Sequence, residues 1–301
     1  MKTNIAGVVA LSFGLLTLGC AGGGSNNNSF EEIPDSLQGA PLQLSENVVN
    51  DMIQNISSPV EMANQIMKSG AQFDQNALNS AEKMKDYVTS FKRAVNLGAY
   101  SADLGYINTF NKNSVVVDYL LAVKELSDGL NVGQFVDFNT LSRMAKNNTN
   151  LDSLKQLSVS SFNQMDRYLR EQKRSNVSTA IVAGAWVEGI YITGRVIEQT
   201  NDPELINRLG EQKDIVNILL IILNNYSRND ANFQKLVSLI DDVKKVYDDV
   251  KIVTEFGEPQ TREVDGMLII EQNEITHVQI SPEQVKEIIA RVNAVRQFIV
   301  E

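Results

Sequence analysis

Glu188 stands in Ala185-Trp186-Val187-Glu188-Gly189-Ile190-Tyr191, a passage that is apolar on both sides of it. A carboxylate taken out of water must be paired, hydrogen-bonded or protonated. At helical spacing Gly184, Tyr191 and Arg195 share its face. Asp103 is a second such group. It lies in Tyr100-Ser101-Ala102-Asp103-Leu104-Gly105-Tyr106, on a stripe with Ala99, Tyr106 and Phe110. These spacings predict that two acidic groups, Tyr100, Tyr106, Tyr191 and Arg195 converge in the core. Two chemistries follow. A hydrogen-bonded network would fix helix register, and the residue types favour it. The alternative is the polar floor of a ligand pocket, or an acid/base pair of carboxyls about 5–10 Å apart.

The other polar signals are weaker. His277 is the only histidine and has no cysteine beside it, so neither a zinc site nor a Ser-His-Asp triad assembles around it. Asp241-Asp242-Val243-Lys244-Lys245-Val246-Tyr247-Asp248-Asp249 reads as a solvated helix face. Its expected i, i+4 pairs are Asp241 with Lys245, Lys244 with Asp248 and Lys245 with Asp249. No glycine loop suited to phosphate follows a strand. No catalytic residue, metal or cofactor is assigned from these patterns.

The only cysteine is Cys20. It follows Met1-Lys2-Thr3-Asn4 and an apolar run from Ile5 to Leu18. That run is too short for a spanning helix of about 20 residues and has the length of a signal-peptide core. Thr17-Leu18-Gly19-Cys20 resembles the bacterial lipobox, with Thr17 where leucine is usual. The expectation is a signal peptide over residues 1–19, cleavage before Cys20, and lipid, palmitate included, on that cysteine. Ala21-Gly22-Gly23-Gly24-Ser25-Asn26-Asn27-Asn28-Ser29 opens a flexible tether over residues 20–44, where Pro34 and Pro41 discourage helix. In the lipoproteins this start resembles, a residue such as Ala21 in place of aspartate permits onward transport. The expected location is therefore the bacterial cell envelope, lipid-anchored at the outer membrane.

Composition narrows the partners. The chain has 301 residues and a formal net charge of −10, and no stretch is strongly basic. That removes the electrostatic footprint of a nucleic-acid binder. An acidic surface also disfavours docking on anionic lipid through the domain itself, so the lipid on Cys20 would make the membrane contact.

The remaining residues, 45–301, read as one all-α domain: an irregular antiparallel bundle with a small C-terminal β-hairpin and a final helix. Helix is expected nearly throughout Ser45 to Lys251. Asn76 to Leu97 carries Ala77, Ala81, Met84, Val88, Phe91 and Val95 on one face. Gly98 allows a break before Ala99 to Phe110. Ser114 is the expected cap of a helix that Gly129 and Gly133 punctuate. A short piece spans Phe138 to Lys146. Asn150 reads as the cap of a long helix and Asn176 as the start of the next. Asp202-Pro203 is a firm start signal, and Asn229 or Asp230 opens another helix. Gly184, Gly189 and Gly194 interrupt an apolar helix and suit close approach of a neighbouring helix, the favoured reading, or of a ligand lying against exposed backbone. A hairpin is expected at about 264–280, pairing Met267–Ile270 with Ile275–Ile280 around Gln272-Asn273. Ser281-Pro282-Glu283-Gln284 is a capping-box start for a helix over about 282–300.

Asn96-Leu97-Gly98-Ala99-Tyr100-Ser101-Ala102-Asp103-Leu104-Gly105-Tyr106, Ala185 to Tyr191 and Ile280-Ser281-Pro282-Glu283-Gln284 resemble passages in a group of uncharacterised all-helical lipoproteins of Bacteroidetes. The resemblance implies an envelope address and a helical fold, and transfers no activity. The functional expectation is a non-enzymatic binding or interaction domain, with an envelope protein or a small ligand as partner. The alternative is a small-molecule-binding or hydrolytic protein built around Asp103 and Glu188.

Overall fold

The computed structural model describes residues 65–146, 151–257, 260–264, 267–271 and 274–301, all within one compact unit, Leu42–Glu301. A helical turn at 65–68 and two 3-10 turns, Gln75–Ala77 and Ala81–Asp86, come first. Seven helices follow: α1 (Ser90–Thr109), α2 (Asn113–Gly129), α3 (Phe138–Lys146), α4 (Leu151–Glu171), α5 (Ser175–Thr200), α6 (Pro203–Ser227) and α7 (Ala231–Tyr247). Four strands, β1 (Lys251–Phe256), β2 (Gln260–Val264), β3 (Met267–Glu271) and β4 (Glu274–Gln279), lead to α8 (Pro282–Val300). The architecture is the expected all-α bundle with a small hairpin and a closing helix.

Side-chain caps set the starts. Thr89 accepts from the Lys92 N–H, Asp202 from Leu205, and Asp230 from Asn232 and Phe233. Ser281 and Gln284 form the full reciprocal capping box of α8. Left-handed residues set several ends: Asn111, Asn131, Lys173 and Asn201 have φ of 53°, 58°, 56° and 48°. After α4 the Arg174 N–H reaches back to Leu169 O (2.7 Å) and the Lys173 N–H to Arg170 O (2.8 Å), which satisfies two orphan carbonyls.

Several expectations about element boundaries are corrected. Asn76 to Leu97 is not one helix. The Asn79 N–H goes to the Asp103 side chain instead of a helical ladder, Thr89 starts a fresh helix, and Val88 is 67% exposed. Gly98 does not interrupt α1. Lys112, rather than Ser114, precedes α2. Gly129 closes α2, but the left-handed residue beyond it is Asn131, and Gly133 opens a further 3-10 turn, Gly133–Phe135. α5 starts at Ser175, one residue before Asn176. Asn150 lies outside the described residues, as do the signal and tether.

The hairpin is longer than expected and paired differently. Met267–Glu271 pairs with Gln260–Val264, and Glu274–Gln279 pairs with Lys251–Phe256, both antiparallel. Asp265-Gly266, a favoured two-residue hairpin connection, separates the partners Val264 and Met267. Lys251, the expected end of the helical stretch, therefore opens a strand that continues through Phe256. At its base Lys213 of α6 donates to Val250 O (2.6 Å).

α5 is the centre. It is long and apolar enough to cross a membrane by length and composition, but 78% of its apolar window is buried inside the protein, so it is a core helix. Its most extensive neighbour is α1. A Cβ on Gly98 would overlap Ile181 O and come within 2.6 Å of Ala185 N, and one on Gly184 would overlap Val95 O. The two backbones touch there, and the helices run in the same direction, Val95 by Gly184 and Asp103 by Glu188. α8 runs the opposite way, with Ile289 against Gly194 and Arg296 against Glu188. Trp186 donates to Gln212 (3.1 Å) and joins α5 to α6, while Tyr247 donates to Leu209 O (2.9 Å) and joins α7 to α6.

The crossing makes a contrast that urea unfolding can measure. Gly98→Ala drives a methyl into backbone and is expected to cost more than about 3 kcal/mol. Gly105→Ala, on the same helix, meets nothing within 4 Å and is expected to stabilise by up to about 1 kcal/mol.

Candidate functional site: a buried carboxyl pair

Glu188 reaches the core one turn beyond Gly184, where α1 lies directly on α5. Its side chain is 0% exposed. Arg296 comes to it from α8. Nε lies 3.0 and 2.9 Å from the two carboxylate oxygens, and Nη2 donates to Oε1 at 2.8 Å. Nη2 also donates to Ala77 O at 3.2 Å. The guanidinium carbon sits 3.9 Å from the Tyr191 ring centroid, so an aromatic face covers the cation. Such a paired, two-pronged contact is the arrangement that lets a charge sit in a low-dielectric interior.

Asp103 is fully buried beside Glu188. Its Oδ2 accepts the Asn79 N–H at 3.2 Å. Oδ1 receives no donor from main chain, amide or hydroxyl, and the carboxyl is in hydrogen-bond contact with Glu188. Two ionised carboxylates in contact repel, so this contact needs a proton between them. Burial pushes Asp103 well above the usual carboxylate range, and the Glu188 charge adds to the shift against the pull of Arg296. Burial also raises Glu188, but Arg296 and the Asp103 hydrogen bond hold it back. The proton therefore belongs to Asp103. The cluster is one neutral acid, one anion and one guanidinium, with no net charge.

A polar shell of side chains surrounds this trio. Tyr100 donates to Ser80 O (2.7 Å), and its ring meets Tyr119 edge-on, centroids 5.9 Å apart. Asn79 Nδ2 donates to Tyr87 OH and to Asn96 Oδ1, both at 3.1 Å. Tyr87 donates on to Val300 O (3.1 Å) and Asn96 to Ile299 O (2.7 Å). Lys92 reaches Phe298 O (2.6 Å) and Lys83 reaches Val300 O (3.2 Å). The last-turn carbonyls of α8, left without partners by helix geometry, are thus received by side chains of α1 and the segment before it. Burial raises the Tyr87, Tyr100 and Tyr119 hydroxyls, which keeps them neutral.

Of the residues singled out from the sequence, Asp103, Glu188, Tyr100 and Tyr191 share this cluster. Arg195 and Tyr106 do not. Arg195 pairs with Asp74 (3.1 Å) and Glu198 (3.3 Å), and its side chain is 40% exposed. Tyr106 accepts the Asp74 N–H (2.9 Å) and stacks on Phe73. Seven residues separate Arg195 from Glu188, roughly 10 Å along a helix, so the two cations serve different sites on one face. Arg296, Asn79, Asn96, Tyr87 and Tyr119 were missed. Arg296 alone left a signal: it lies on the apolar stripe of α8, four residues after Val292 and three before Ile299.

The remaining signals are placed as follows. His277 is exposed on β4 opposite Val253. Lys245 pairs with Asp241 (3.2 Å) and with Asp242 (2.8 Å), where Asp249 was expected, and Lys244 pairs with Asp248 (2.6 Å). Among the described residues no three His, Cys, Asp or Glu side chains group as a metal site would require. Comparison with known proteins returned no matching family model, no matching curated protein and no matching solved structure.

Removing one partner of a buried pair leaves the other uncompensated. Glu188→Gln is expected to lose about 3–5 kcal/mol in urea unfolding. Arg195→Gln breaks a partly exposed pair and is expected to lose less than about 1 kcal/mol.

Proposed function

We propose that this is a lipid-anchored cell-envelope protein whose helical unit is a non-enzymatic binding or interaction domain. The carrying observation is the closure of the Glu188 site. Its side chain is 0% exposed, and Arg296 of the same chain holds both of its oxygens. A carboxylate occupied in this way positions helices and has no oxygen turned toward a substrate. The address rests on Thr17-Leu18-Gly19-Cys20, on the short apolar run before it and on the polar tether after it. Lipid on Cys20, palmitate among its chains, would make the membrane contact, with Ala21 favouring the outer membrane. An envelope protein or a small ligand would meet the helical unit.

The rival reading is a small-molecule-binding or hydrolytic protein using Asp103 and Glu188. One feature favours it: burial raises both carboxyls and raises Asp103 the more strongly, an asymmetry that suits a general acid–base pair.

Two measurements test these readings. Mass spectrometry of the native N-terminus is expected to find lipid on Cys20, and a free, unmodified Cys20 in membrane-extracted protein overturns the address. Glu188→Gln separates the roles of the pair. A register residue loses on the order of 10 °C in melting temperature and leaves partner capture by the folded protein intact. A site residue melts near wild type and loses ligand binding or turnover.

A further inference from the structure

We propose that the Asp103–Glu188 contact is a proton-gated latch, in which one shared proton seats α8 against α1 and α5 and its loss frees the last turns of α8. This rests on the reading of the pair as a register network.

The geometry carries the argument. Four parts of the chain meet at the pair: the segment through Ala77 and Asn79, α1 with Asp103, α5 with Glu188, and α8 with Arg296. One guanidinium serves two carboxyls, and it is already committed to both Glu188 oxygens and to Ala77 O. Once Asp103 ionises, two anions face one cation at side chains closed off from the surface. Asp103 keeps its Asn79 N–H, which an anion accepts more strongly. The strained contact is therefore the one across α1 and α5 to Glu188, and Glu188 is what holds Arg296 and α8.

The neighbouring groups leave the window clear. Tyr87 faces the pair from the segment before α1, Tyr100 from α1, and Tyr119, with Asp118 near it, from α2. Burial keeps all three tyrosines protonated through neutral pH. On α5 Tyr191 lies under Arg296. Burial opposes the Arg296 charge, but Glu188 more than restores it. Lys83 and Lys92 also hold α8, at Val300 O and Phe298 O, and burial lowers Lys92.

Asp103 holds its proton when folded and gives it up when exposed. Its contribution to seating α8 is complete below the ordinary carboxylate value, near pH 4. It declines as pH rises toward the raised folded value. In that window the opening equilibrium rises by up to about tenfold per pH unit, since one proton leaves on opening.

The test is hydrogen exchange of the full chain between pH 5 and pH 8, corrected for intrinsic rates and read in peptides covering residues 285–300. The wild-type opening constant is expected to rise by up to about tenfold per pH unit. Asp103→Asn keeps both contacts, because its amide donates to Glu188 and accepts from Asn79, so it is expected to flatten the slope. Lys92 remains in that variant, so a slope caused by Lys92 would persist. A pH-independent wild-type α8, or an Asp103→Asn slope equal to wild type, overturns the latch. Infrared spectra of wild-type protein labelled with carbon-13 aspartate give a measurement that needs no variant. They are expected to show a protonated aspartic acid at pH 6 that disappears as α8 opens, and absence of that band overturns the latch. Failure of the register reading looks different: Glu188→Gln would melt like wild type.

Discussion

Where α1 crosses α5, two glycines let backbone touch backbone. Gly98 rests on Ile181 and Ala185, and Gly184 rests on Val95. No side chain stands between the helices there, so their separation and stagger are set by main-chain atoms, which do not adjust. Asp103 follows Gly98 by little more than a turn, and Glu188 follows Gly184 by about one. Once the crossing is made, the two carboxyls have no choice but to meet. A meeting of carboxyls in a buried interior then requires a proton and a cation, and the position of the cation dictates where α8 must lie.

This sequence of requirements accounts for an expensive feature. A buried ion pair contributes little against a hydrophobic replacement of the same shape. Its value here is selectivity. The apolar stripe of α8 (Val285, Ile288, Val292, Val295 and Ile299) is buried against the bundle, and such a stripe can slip by a turn with small loss. Arg296 cannot slip, because one turn away it would leave Glu188 and itself unpaired. Lys83, Tyr87, Lys92 and Asn96 add the same constraint at the last carbonyls.

The local signals in the sequence were readable to the residue where chemistry is local. Asp202-Pro203 and Ser281 to Gln284 start helices as their side chains dictate. The burial of Asp103 and Glu188 followed from apolar flanks at helical spacing. Errors arose where two structures satisfy the same pattern. Ala77, Ala81 and Met84 fit a helical stripe, yet a side chain 24 residues away takes the Asn79 N–H. Lys251 to Phe256 is short and mixed, and only its distant partner strand makes it β. Arg195 shares a helix and a face with Glu188, whereas the cation that pairs with Glu188 lies 108 residues downstream. Periodicity says which face is inward, and it is silent on which inward groups will face each other.

The docking of α8 also has a kinetic side. Asn96 and Ile299 are 203 residues apart, yet their hydrogen bond belongs to the same cluster as the α1–α5 crossing. Loop closure over such a span has to be made before any of its contacts repays the lost chain freedom. The cation of Glu188 is carried by α8. A bundle of α1 through α7 alone would hold that acid without its partner, which penalises consolidation of the core before α8 docks.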